Sequence, residues 1–132
     1  MSIFDIFKKQ KVELTEEEQR WNKIWDLWAD EKAESPYQEL MTYHSEVMNG
    51  GHGFYFLNLE PDRLKKELKT LENILPPAHI DNLNRAYKAY LILDQREDES
   101  SEITLEECDE FFFNNEQDLN IILAEYASII EL

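Results

Sequence analysis

A chain of 132 residues has the usual size of one domain and is long enough to bury a core. Its net charge of −16, from 29 acids against 13 lysines and arginines, argues against direct nucleic-acid binding, which needs clustered cations to neutralise phosphate. The same charge disfavours anionic membrane surfaces and leaves a basic partner, or plain solubility, as its use.

An apolar content of 42% fits a globular protein, and three glycines and four prolines are too few for an all-β sandwich with many tight turns. The expectation is a compact all-α domain of six to eight helices spanning residues 1–132. One cysteine forms no internal disulfide and points to a reducing compartment, so a cytoplasmic location is expected. No apolar run approaches the ~20 residues of a membrane span, and residues 1–11 lack the basic-then-apolar order of a signal peptide.

Ile3, Phe4, Ile6 and Phe7, followed by Lys8, Lys9 and Lys11, read as a short amphipathic arm with cations at its C-terminal end, where the helix dipole favours them. Thr15-Glu16-Glu17-Glu18 is a capping box that starts a helix. On it Trp21, Ile24, Trp25 and Trp28 form a stripe at i, i+3, i+4 and i+7 that faces a core. Ser35-Pro36-Tyr37-Gln38 repeats the start signal, with serine as the cap and proline at the first helical position. The helix it opens carries Leu40, Tyr43, His44, Val47 and Met48 on one face. Asn49, Gly50 and Gly51 should end it, because glycine takes the left-handed cap conformation without a Cβ clash. Phe54, Tyr55, Phe56 and Leu57 then read as an apolar plug bound for the core. A phosphate-binding reading of the glycines fails, since they follow a helix and no lysine is near.

The residues Asn49-Gly50-Gly51, Tyr55-Phe56 and Asn58, preceded by Glu46-Val47, resemble the signature of a bacterial family of small all-helical proteins long catalogued as a domain of unknown function. In that family the pattern runs Asn-Gly-Gly-Phe, any residue, Gln, aromatic, Phe, any residue, Asn. Here His52 stands where Phe is usual and Phe54 where Gln is usual. The likeness extends loosely from about Trp21 to the end of the chain. It implies an all-helical fold, and an acidic DNA mimic that binds a transcription factor, the activity of the family's characterised member.

Pro61 pre-sets another helix, with Leu64, Leu68, Leu71 and Leu75 inward, stopped by Pro76-Pro77. Ile80, Leu83, Tyr87, Tyr90 and Leu91 mark one face of the next. Residues 94–101 lack periodicity and read as an acidic loop. Thr104-x-x-Glu107 looks like a third capping box, opening a helix with Leu105, Cys108, Phe111 and Phe112 inward. Asn114 or Asn115 should cap a last helix, on which Leu119, Ile122, Leu123, Tyr126, Ile129 and Ile130 face the core.

No catalytic constellation is visible. Cys108 lies inward between Glu106, Glu107, Asp109 and Glu110, which suppress a thiolate. His44, His52 and His79 show no metal-ligand spacing, so no metal or cofactor is expected. The acids carry the candidate site. Residues 94–132 hold thirteen acids against Arg96 alone, whereas residues 61–93 hold six cations and four acids. Carboxylates at i, i+3 or i+4 lie about 5 to 6 Å apart, near the separation of phosphates along a DNA strand, so a helix can imitate a phosphate track. The candidate binding residues are Asp94, Glu97, Asp98, Glu99, Glu102, Glu106, Glu107, Asp109, Glu110, Glu116 and Asp118, helped by residues 16–18 and 30–34. The partner expected is a basic protein, such as a transcription factor or other DNA-binding protein, with a homodimer also open. Two rival readings stand beside it: an ordinary helical interaction domain whose acidity serves solubility, and a small enzyme with a pocket near His44 and His52.

Overall fold

The computed structural model describes residues 13–132, so the arm expected over residues 1–11 lies outside it. The described residues form five helices and no strand: α1 (Glu16–Ala29), α2 (Tyr37–Leu57), α3 (Pro61–Leu71), α4 (Pro77–Gln95) and α5 (Glu99–Ile129). Five is fewer than the six to eight expected for the whole chain, because α5 absorbs the break suggested at Asn114 or Asn115 and the arm is not among the described residues.

The capping box of α1 forms as its residues dictate. The Glu18 amide donates to Thr15 Oγ1 at 3.1 Å, and the Glu18 carboxylate faces the Thr15 amide at 3.5 Å. Ile24 is fully buried, and Trp21, Trp25 and Trp28 pack edge-on along the same stripe, half-covered by the core. The start of α2 differs from its signal. Pro36 flanks the helix without a side-chain cap, and Ser35 Oγ instead donates to the Glu39 carboxylate. Gln38 holds the preceding turn, accepting from the Ala33 amide and donating to the Trp28 carbonyl.

The glycines do not end α2. The helix runs on to Leu57 and kinks at Gly51, whose φ of 81° and ψ of 179° are non-helical. Helical phase therefore continues past the bend, and it sends Tyr55 and Phe56 into the core but turns Phe54 and Leu57 outward, 41% and 73% exposed. The expected plug is half surface for that reason. Met48, Leu91 and Ile129 are also exposed ends of stripes whose centres are buried.

The acidic loop shrinks to three residues, because α4 extends through Asp94 and α5 starts at Glu99. Asp98, not Thr104, is the cap of α5, accepting from the Ser101 amide at 3.0 Å. Thr104 lies inside the helix, where its hydroxyl donates to the Ser100 carbonyl. Asn115 does the same with Phe111, so neither asparagine interrupts a helix of 31 residues. Cap-forming residues satisfy an open helix end where one exists but do not create one. Here Cys108, Phe112, Leu119, Leu123 and Tyr126 keep one continuous buried stripe along α5. That helix is the spine of the fold, packed against α4, α2 and α1.

Candidate functional site

The kink in α2 explains how α5 is held. Gly51 is the one glycine with positive φ among the described residues, and a Cβ there would run into the Asp109 carboxylate of α5. Because nothing stands in that space, Asp109 Oδ1 reaches both the His52 amide, at 2.8 Å, and His52 Nδ1, at 2.7 Å. His52 Nε2 meets the Tyr43 hydroxyl at 2.6 Å, which closes a buried chain from α5 through the bend to the first half of α2. Asn58 braces the kink from outside, donating to the Glu46 carboxylate at 3.0 Å. Phe56 packs against Tyr87 and Tyr90 of α4. Gly50 is helical and lies under the Phe54 ring, and Asn49 is exposed.

All three histidines grip α5 in this way. His44 Nε2 meets Glu116 at 2.9 Å and His79 Nε2 meets Asp118 at 3.0 Å, beside the His52 pair. The Nδ1 atoms of His44 and His79 are buried without a protein partner. Burial pushes the Glu116 carboxyl up, but hydrogen bonds from His44 and Asn120 outweigh it and hold the group below its ordinary range. Burial likewise drives the Tyr43 hydroxyl far up, with Cys108 and Asp109 adding to it, so Tyr43 stays neutral and bonds as a hydroxyl. Cys108 is fully buried, and burial, more than the flanking acids, raises its thiol pKa. His52 is wholly enclosed, and the two described cavities are lined by other residues.

A second buried carboxyl had no signal in the sequence. Glu67 of α3 is 7% exposed and accepts from the Tyr55 hydroxyl at 3.0 Å. Burial raises its pKa against the opposing pull of Tyr55 and Arg63.

The eleven candidate acids fall into two groups. Five have structural partners: Asp98 caps α5, Asp109, Glu116 and Asp118 hold the histidines, and Glu107 pairs with Arg85 at 3.1 Å on the surface. Of these, Asp98, Asp109 and Glu116 are only part-exposed. The other six, Asp94, Glu97, Glu99, Glu102, Glu106 and Glu110, are exposed. The last four sit at i, i+3, i+7 and i+11 on α5 and so share one outward stripe, about 16 Å long at ~1.5 Å rise per residue. No cation pairs with any of them among the described residues. Further along the same face come Phe113 and Ile121, 49% and 53% exposed, which inward-looking pattern reading passes over. The acids of residues 30–34 lie elsewhere, beside the far end of α5, where the Glu34 amide donates to the Tyr126 hydroxyl.

A sequence profile described as DMP19-like protein matches residues 37–131. The chain belongs to the DMP19-like family. The DMP19-like region begins at the first residue of α2 and includes α3, α4 and α5, so it contains the kink, the three histidine pairs and the acidic stripe, while α1 precedes it. No curated protein and no solved structure matches the chain. No helix among the described residues is long and apolar enough to cross a membrane.

Proposed function

We propose that this chain is a single-domain, non-enzymatic interaction module of the cytoplasm, and that its α5 stripe imitates a phosphate track to bind a basic, DNA-binding protein. The observation that carries the reading is the row Glu99, Glu102, Glu106 and Glu110, exposed, in line and without cationic partners among the described residues. Packing does not require four like charges there, and holding them together costs stability through self-repulsion. Membership of the DMP19-like family supports the same choice of partner. Asp94 and Glu97, exposed at the α4–α5 junction, extend the negative field that would steer a cationic surface into contact.

The acids that hold the histidines play a different part. Asp109, Glu116 and Asp118 fix α5 to α2 and α4 and so keep the stripe straight and outward. The test is competition. A partner captured from native lysate on the immobilised protein should be released by short duplex DNA and by raised salt, since both contend for one cationic surface. A partner that stays bound in excess duplex excludes mimicry.

A second reading has its own observation. Phe113 and Ile121, half-exposed on the face that carries the acids, favour an ordinary mixed interface, and binding through them would persist in high salt.

A further inference from the structure

An open groove of about 1150 Å3 lies between the first turns of α1 and the last turns of α5. Leu14, Trp21, Ala124 and Ala127 give it an apolar lining, and Glu16, Glu17 and Glu18 stand along one side with Arg20. Trp21 is only half-covered and Leu14 is 38% exposed, so the lining offers apolar surface that a docked segment would take out of water. Glu16 pairs with Arg20, Glu18 serves the cap of α1, and Glu17 has no partner among the described residues. Three acids against one arginine leave the groove negative by two.

The chemistry that fits is a short apolar segment bearing lysines, and the chain carries one next to the groove. Ile3, Phe4, Ile6 and Phe7, with Lys8, Lys9 and Lys11, precede Leu14, which itself lines the groove. We propose that the groove receives residues 1–12 of the same chain, apolar side chains against Trp21, Ala124 and Ala127, and lysines beside Glu16, Glu17 and Glu18. The single residue Glu13 joins this segment to Leu14, which makes the encounter intramolecular, at an effective concentration on the order of millimolar. A free peptide or a second copy must compete against that.

Disulfide trapping in the full-length protein tests it. The pair Phe7→Cys and Ser128→Cys places a thiol on the arm and one on the groove lining, and the pair Phe7→Cys and Glu106→Cys places the second thiol on the acidic stripe. Native Cys108 is fully buried and stays out of the exchange. Under mild oxidation the Ser128 pair should close within one chain about tenfold faster than the Glu106 pair. Adding Lys8→Glu, Lys9→Glu and Lys11→Glu should slow that closure severalfold at low salt and less at high salt, where screening already weakens the lysine contacts. Equal rates for the two pairs would overturn the proposal. So would closure found only between chains, which would give the groove to a second copy.

Discussion

Replacing Gly51 by alanine should be among the most damaging single-methyl additions this protein can suffer. At φ 81° and ψ 179° the backbone occupies a region essentially reserved for glycine, and forcing alanine into it costs about 1–3 kcal/mol. The new Cβ would also meet the Asp109 carboxylate, which must then release the His52 amide and ring. Charge-assisted hydrogen bonds of this kind contribute about 1.5–3 kcal/mol, so the combined loss is about 3–6 kcal/mol. At about 3–5 °C per kcal/mol for a chain of this size, the thermal midpoint should fall by roughly 10–30 °C. Gly53 is the internal control. It has no neighbour within 4 Å of its missing Cβ and no positive φ, so Gly53→Ala should stabilise by about 0.5–1 kcal/mol through helix propensity. Because the Gly51 clash is with Asp109, Asp109→Ala should relieve part of it. The double variant should then be less destabilised than the sum of the two singles by about 1–2 kcal/mol. Urea unfolding of the four variants, followed by circular dichroism, decides the matter. Gly51→Ala and Gly53→Ala of equal stability, or strict additivity with Asp109→Ala, would refute the account of the bend.

Glu67→Gln should leave the protein at least as stable as the parent at pH 7. The folded-state pKa of Glu67 is raised by burial, so stability falls as pH rises from about 4.5 through that pKa, and glutamine avoids the loss while still accepting from Tyr55. The advantage should vanish on acidification towards pH 4, as thermal melts across pH will read. Glu116 and Asp98 have lowered pKa values, so the stability they contribute is complete above their unfolded values and is lost as pH drops through the folded ones. Glu116→Gln should therefore flatten the acid limb of the stability curve. Neutralising the whole stripe with Glu99→Gln, Glu102→Gln, Glu106→Gln and Glu110→Gln should shift stability by no more than about 1 kcal/mol. Lost dipole support in the first turn offsets relieved repulsion further along, and a thermal melt checks it. Reversing Glu106, Asp109 and Glu110 together is a poor probe of binding, since Asp109 also holds His52.

Helix identity was legible because buried side chains recur at helical spacing, and every stripe read in α1 to α5 has a buried centre. Boundaries were less so. Asn49-Gly50-Gly51 and Asn114-Asn115 both carry the chemistry of helix ends, yet each lies within a stripe whose phase continues unbroken, through Tyr43, Val47, Gly51 and Tyr55 in one case and Phe112, Leu119 and Leu123 in the other. Phase was the better guide. The acids were legible as a group but not by role. The histidine partners lie 72, 57 and 39 residues away, and only tertiary packing brings Glu116, Asp109 and Asp118 to them. The stripe itself was hidden by reading residues 94–101 as a loop, which put Glu99 on a different element from Glu106.

Affinity capture from native lysate, run in parallel with the parent protein and with the variant carrying glutamine at positions 99, 102, 106 and 110, tests the docking face most directly. The account predicts one principal basic partner on the parent at low salt, lost in high salt and absent from the variant, with both baits equally folded. Recovery of the same partner on both baits, undiminished by salt, would contradict it.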